Sequence, residues 1–308
     1  MLKIGFIIYS GLGNAVLTTP MLKAIKVIHP DSQLSVFTWD RCTEVFQDSP
    51  YVDEIFNTDI YKNKAILNSL SLDILLTPPR WRTWEHLYRP LLSCAKNIIK
   101  LPDSRGWVKH ESEYNMDLAK AIGYSGSTPS PYFPTSDKSP TEKYAVLAIG
   151  YLKDGAEWHL KQISDNNVWI TVSDYLIKTG HKVFFLGSLD DYEIAQNIVS
   201  ELPHGKALNT CGATTVKQAA AIIKNANIFV GLDCGLTHIA SCFQVPSVVA
   251  WTFTDRTKNE PLNPNIEIIE IPCDKKSTCQ YGSWKNCKNK PCRDLTADMI
   301  ISGINKKI

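Results

Sequence analysis

No run of about 18 apolar residues occurs anywhere in this 308-residue chain, so the sequence offers no helix able to cross a bilayer. The apolar opening at residues 1–9 is too short for the core of a secretion signal and meets Gly11 almost at once, which reads as a cytoplasmic protein. An excess of one charge is missing too. With 33 basic and 31 acidic side chains the net charge is only +2, so no global field draws the chain to nucleic acid, and an anionic partner has to be met by a local patch. There is no repeat of 20–50 residues and no low-complexity segment, which excludes solenoids and arrays. The nine cysteines are odd in number, and Cys42, Cys94, Cys211, Cys234 and Cys242 sit in apolar or helical patterns where a free thiol behaves as a small hydrophobe.

What is present is a chain 44% apolar and long enough for two α/β domains with separate cores. Its first part alternates strand-like and helix-like segments: strands at about 2–9, 34–39, 52–57 and 72–77, helices at about 14–28, 41–47, 62–70 and 111–122. The strands are too continuously apolar to be half-exposed, which argues a parallel sheet covered on both faces. A stretch at about 125–142 is too rich in Pro and Gly to hold an element, and marks a boundary between domains 1–140 and 141–308. The alternation then restarts, with strands at about 144–150, 181–186, 227–231, 247–252 and 266–271. Helices are expected at about 165–179, 191–202, 216–225 and from 235, and a last one at 296–305 is free to pack back across the joint. Two Rossmann-like domains facing a central cleft, joined in this way, make the GT-B arrangement.

Two motifs mark strand-to-helix turns. Gly11-Leu12-Gly13-Asn14 follows the first strand, its glycines allowing a tight turn and close approach of a ligand. It lacks the third glycine of the dinucleotide fingerprint, and only Asp40 stands near the end of the second strand, so a nicotinamide site is a weak reading. Asp233-Cys234-Gly235-Leu236-Thr237-His238 is more telling. A carboxylate ends a buried strand, and the amides after it open a helix whose positive end suits a phosphate. Asp233 then either accepts from sugar hydroxyls or caps the helix, and His238 either donates to the phosphate or braces the turn.

The chain resembles the bacterial heptosyltransferases of glycosyltransferase family 9. The resemblance rests on the run from Gly11 to Pro20, on Lys182-Val183-Phe184-Phe185-Leu186-Gly187, on Val230 to Ser241, and on Trp251-Thr252-Phe253-Thr254-Asp255. It implies a C-terminal domain that binds a nucleotide sugar of the ADP-heptose type: the amides of Gly235, Leu236 and Thr237 on the diphosphate, Asp233 on sugar hydroxyls, Asp191 on the ribose. It implies an N-terminal domain that takes an anionic glycan or glycolipid acceptor, and a transfer that inverts the anomeric centre without a cofactor. Two positions depart from the family. Asn14 stands where the general base, an aspartate, is expected, and an amide cannot take up a proton. Ala156-Glu157-Trp158 stands where a phosphate-binding lysine is expected, which leaves Lys153 or Lys161 to reach the phosphates.

Cys273, Cys279, Cys287 and Cys292 lie within twenty residues amid Lys275, Lys276, Lys285, Lys288, Lys290 and Arg293. Four such thiolates can enclose one tetrahedral ion, although the spacing is not the tight pair of a zinc ribbon. Protein-modifying heptosyltransferases hold iron in a cysteine cluster, so a structural zinc or iron and four free thiols on a basic loop both stay open. Arg80-Trp81-Arg82-Thr83-Trp84, followed by Arg89, Lys96, Lys100, Arg105 and Lys109, reads either as a surface for a phosphorylated, membrane-borne glycolipid or as a solvated face. The expectation is therefore an inverting glycosyltransferase at the inner face of the inner membrane, in peripheral contact with it, extending lipopolysaccharide core or another surface glycan. A catalytically silent nucleotide-sugar binder of the same fold is the alternative, and a dehydrogenase a distant third.

Overall fold

The computed structural model describes residues 1–57, 64–77, 85–101, 108–135, 142–150, 158–273, 279 and 283–308. Met1–Pro134 forms one compact unit together with Thr257–Glu260, and Thr135–Arg256 forms the other together with Pro261–Ile308.

In the first unit, β1 (Lys3–Ile8), β2 (Gln33–Thr38), β3 (Glu54–Phe56), β4 (Leu72–Thr77) and β5 (Ala95–Lys100) form one sheet. Its order is β3-β2-β1-β4-β5 and every neighbouring pair is parallel. The central strand β1 is buried from Ile4 onward, as a strand covered on both faces must be. The connecting helices are α1 (Leu12–Ile28), α2 (Thr43–Phe46), α3 (Lys64–Ser69), α4 (Glu85–Leu92) and α5 (Glu111–Ala121). Pro20 lies inside α1 and cannot donate to the Val16 carbonyl one turn back; the Thr19 hydroxyl fills the gap at 2.8 Å. The same Thr19 oxygen accepts from Tyr132 N at 2.9 Å, tying the end of the unit to α1. Asn115 Nδ2 donates to Leu17 O at 3.3 Å and His29 Nε2 lies 3.3 Å from Ile122 O, so α1 and α5 run side by side in the same direction.

The second unit holds β6 (Tyr144–Ala148), α6 (Asn167–Lys178), β7 (Lys182–Phe185), α7 (Tyr192–Ser200), β8 (Ala207–Asn209) and α8 (Val216–Lys224). It continues with β9 (Ile228–Leu232), α9 (Gly235–Cys242) and β10 (Ser247–Ala250). The short α10 (Arg256–Asn259) begins in this unit and ends in the first. After it come β11 (Ile266–Ile269) and α11 (Ala297–Asn305). The sheet order is β11-β10-β9-β6-β7-β8, again all parallel. Its core gathers Trp169, Phe185, Val230, Ile300 and their neighbours.

In each sheet the order reverses beside the unit's first strand, between β1 and β4 and between β6 and β9. Connections leaving the carboxyl ends on the two sides of such a point diverge and leave a crevice. The Gly11 turn leaves β1 at one of these points, and the Asp233 turn leaves β9 at the other.

Helices α4 and α10 were not expected, and three further elements differ from the expectation. Strand β5 was not expected, because Lys96, Asn97 and Lys100 make it polar; it is an edge strand with an exposed face, where charge is tolerated. Strand β8, also an edge, is only three residues long. The terminal helix α11 packs on its own sheet: Ile300 and Ile304 are fully buried, and Gly303 lies against Val248 and Ile269.

Candidate functional site

The second unit's turn is built around a buried carboxylate. Strand β9 is buried throughout, and Gly231 suits a crowded place: a Cβ there would lie 2.8 Å from Ala148 O on β6. Asp233 follows directly and is 6% exposed. Lys161 Nζ pairs with Asp233 Oδ2 at 2.6 Å and lies 3.2 Å from the Asp233 carbonyl. The Thr254 hydroxyl donates to the same Oδ2 at 2.6 Å. Burial alone pushes the Asp233 carboxyl up, but the Lys161 charge, the Lys161 and Thr254 hydrogen bonds and the nearby His238 outweigh it and hold it below its ordinary value. Asp233 is thus an ion held in place, and the carboxylate stays charged where a bare buried one would not.

Each partner is itself fixed. The indole of the fully buried Trp251 donates to Thr254 O at 2.7 Å, closing the turn after β10 that carries Thr254. The Thr252 hydroxyl lies 2.9 Å from both Leu160 O and Lys161 O, which seats the turn bearing Lys161. Beyond Lys161, Ser164 N donates to Arg293 O at 2.8 Å, Arg293 Nε to Gln162 O at 2.8 Å and Ser164 Oγ to Asp294 Oδ1 at 2.7 Å. Arg293, expected among the cations around the cysteines, serves here as an anchor for the lysine's segment.

Cys234, not Asp233, is the N-cap of α9, with extended backbone and no side-chain cap. The expectation that Asp233 might cap the helix is therefore overturned, because its carboxylate is taken up by Lys161 and Thr254. Thr237 N donates to Cys234 O at 3.2 Å and its hydroxyl to Leu232 O at 2.6 Å, so Thr237 closes the turn, while the Leu236 N–H lies against the Cys234 thiol and Gly235 supplies the first amide of the helix. Burial raises the Cys234 thiol above its ordinary value against the weaker pull of the Thr237 and Leu236 groups beside it. His238 is 3% exposed in the first turns of the same helix.

Asp191 is also buried beside this edge. Its Oδ2 accepts from Ser188 N at 2.7 Å and Ser188 Oγ at 2.8 Å, closing the turn after β7 as a capping box. A Cβ on Gly150, just beyond β6, would lie 2.0 Å from Asp191 Cγ, so only glycine fits there. The carboxylates of Asp191 and Asp233 thus stand after β7 and β9, the two neighbours of β6.

In the first unit, Gly11 is the N-cap of α1 with φ −72°, a conformation open to any residue, and a Cβ there would meet nothing within 4 Å. Its turn is not one that requires glycine, contrary to the expectation; what the missing side chain leaves is open space above an uncapped helix N-terminus. Leu12, Gly13 and Asn14 form the first turn of α1, with Gly13 buried and Asn14 half-buried.

The family model of glycosyltransferase family 9 (heptosyltransferase) matches residues 92–288. The chain belongs to glycosyltransferase family 9. It is 21% identical over 291 residues to lipopolysaccharide heptosyltransferase 3 of Escherichia coli, covering 82% of this chain and 84% of that protein. It superposes on the structure of E. coli ADP-heptose lps heptosyltransferase II with a TM-score of 0.80 at 17% identity, over 99% of this chain and 98% of the other. On E. coli heptosyltransferase WaaC with ADP the TM-score is 0.77 at 14% identity, over the whole of both chains. The family 9 chain is a glycosyltransferase of the GT-B fold, with two Rossmann-like units.

Of the residues expected at the site of this family 9 enzyme, Asp233 to His238 are brought together at one turn, with Asp191 nearby. Arg80, Arg82 and Lys153 lie outside the described residues. Cys273, Cys279, Cys287 and Cys292 are half-buried and joined in no disulfide, and among the described residues no group of three or more His, Cys, Asp or Glu is gathered to hold a metal ion. Thr254 on Asp233 and Asn259 on Glu111 were not foreseen, since these partners lie 21 and 148 residues apart in sequence.

Proposed function

We propose that the second unit binds the nucleotide sugar, of the ADP-heptose type, and that the first unit takes the acceptor, a lipopolysaccharide core or related surface glycan. The observation that carries the reading is the turn after β9, where an ionised Asp233 fixed by Lys161 and Thr254 stands just before the N-terminus of α9. A diphosphate suits the helix N-terminus, and the carboxylate suits sugar hydroxyls beside it. Adenine as the nucleotide base is supported by the similar E. coli heptosyltransferases, one an ADP-heptose enzyme and one solved with ADP, and lipopolysaccharide as the acceptor class by the similar E. coli lipopolysaccharide heptosyltransferase 3. Asp191, beside Gly150 and Gly187, is the carboxylate proposed to meet the ribose.

In the reaction the acceptor oxygen attacks the anomeric carbon from the face opposite the diphosphate, the bond to the phosphate oxygen breaks, and the sugar inverts. The amides of Gly235 and Leu236 and the Lys161 ammonium stabilise the charge gathering on the leaving ADP. No helix among the described residues is long and apolar enough to cross a membrane, so any contact with a lipid-borne acceptor is proposed to be peripheral. Cys273, Cys279, Cys287 and Cys292 are proposed to hold a structural zinc or iron, and elemental analysis of purified protein that finds neither metal overturns this.

The test is titration of the purified protein with ADP, UDP, GDP and NAD, followed by turnover of ADP-heptose with heptose-bearing lipopolysaccharide core. Selective ADP binding lost in Asp233→Ala, with transfer by the wild type, is the expected result. ADP binding without turnover on any acceptor would leave a silent binder, the reading that Asn14 favours. NAD binding alone would overturn the assignment.

A further inference from the structure

Transfer of a sugar to a hydroxyl releases a proton, and the first turn of α1 offers nothing to receive it: Leu12 to Leu22 contains no titratable side chain, and the carboxamide of Asn14 is not a base. One buried carboxylate of the first unit has no part in the function described so far. Glu111 opens α5, is 7% exposed, and accepts a single hydrogen bond among the described residues, from Asn259 Nδ2 to Oε2 at 2.7 Å. Asn115 of α5 meets Leu17 of α1, and Ile122 meets His29; Glu111 lies one turn before Asn115 on the same face of α5, toward the first turn of α1. The carbonyl end of β1 leads straight into that turn.

We propose that Glu111 is the catalytic base of the transfer, receiving the acceptor's proton at the start of α1 in place of a carboxylate at position 14. Asn259 orients the side chain through Oε2, and Oε1 receives the proton as the acceptor oxygen bonds to the anomeric carbon. The electron pair of the breaking carbon–oxygen bond leaves with the nucleoside diphosphate, and the proton later passes to water. Burial pushes the Glu111 carboxyl up to about 7, against the weaker opposing pull of the Asn259 hydrogen bond, which suits a base working near neutrality. The charged groups on the elements around it are His110 and Glu113 on its own helix end, Arg256, Lys258 and Glu260 on and after α10, and Lys96 and Lys100 on β5; α1 contributes none in its first two turns. Burial pushes the His110 imidazole down, and both its nitrogens are engaged, Nε2 lying 2.8 Å from Glu260 O and Nδ1 accepting from Ser112 N at 3.2 Å, so it braces the return segment and is not itself the base.

This inference rests on the proposed transferase reading. Its test compares wild type, Glu111→Gln, Glu111→Asp, Asn14→Asp and the Glu111→Gln/Asn14→Asp double variant, with ADP-heptose as donor and heptose-bearing lipopolysaccharide core as acceptor. Glu111→Gln keeps the shape and the Asn259 contact. It is expected to lower kcat about 100-fold or more with KM for the donor and ADP binding within about twofold, and to erase the rising limb of the pH profile near neutrality. Asn14→Asp in that background is expected to recover at least about tenfold, because it supplies a carboxylate in the first turn of α1, and Glu111→Asp to retain part of the rate. A kcat within about threefold of wild type in Glu111→Gln overturns the assignment, as does a loss that Asn14→Asp leaves unrelieved. Wild type that binds ADP yet transfers nothing overturns the parent reading instead, and this one with it.

Discussion

Among the described residues Lys161 and Asp233 form the most deeply buried ion pair, with side chains 19% and 6% exposed. Removing the cation leaves a buried charge without its partner, which is costly where replacing both ends is not. Lys161→Met is expected to lose about 3–5 kcal/mol in urea denaturation, and a loss below about 1 kcal/mol would mean that solvent already screens the pair. Because the Asp233 carboxyl is held below its unfolded value of 3.8, the stability it contributes is present above that pH and is lost as pH falls through the lower folded value. Glu111 has the opposite sign. Its folded value of about 7 lies above the unfolded 4.5, so the folded state binds the proton more tightly, and stability falls as pH rises from 4.5 to about 7. Glu111→Gln is therefore expected to stabilise the protein by about 3 kcal/mol at pH 8 and by almost nothing at pH 4, read from denaturation at the two pH values.

At the scale of elements, α9 is the helix whose first turn has to be open. Gly235 occupies its first position, after an extended Cys234, which is where proline is accepted without harm to a helix. Gly235→Pro thus deletes one amide while keeping the element. It is expected to weaken ADP binding about tenfold, the worth of a hydrogen bond to a charged group, with circular dichroism unchanged. Unchanged affinity would place the diphosphate elsewhere. The strands that frame this turn were legible in sequence because β6, β9 and β10 are uninterrupted apolar runs, whose backbone can be satisfied only in the middle of a parallel sheet. Strands β5 and β8 were not, since an edge strand makes fewer demands on its side chains. Nor could the sequence distinguish Asp233 as a cap from Asp233 as a paired ion, because a cap is decided by local neighbours and the pair by Lys161, 72 residues away.

For the molecule as a whole, a ligand that binds only the folded state raises its stability by mass action. ADP at about 100 times its dissociation constant is expected to add about 2.7 kcal/mol, seen as a rise in Tm that Asp233→Ala abolishes. A rise of equal size with NAD would contradict the nucleotide assignment. The sequence by itself determined the two alternations of strand and helix, the breaker-rich stretch between them and the two turns from which function was sought, because each depends on residues near one another in the chain. Tertiary structure decided what those turns carry. The order β11-β10-β9-β6-β7-β8 brings the ends of β6, β9 and β10 side by side, so that Lys161, Asp233 and Thr254 meet, and the return of Thr257–Glu260 to the first unit gives Glu111 its partner. Those contacts join residues 21 to 148 positions apart, and only the packing of sheets and helices specifies which distant side chains share a buried, low-dielectric site.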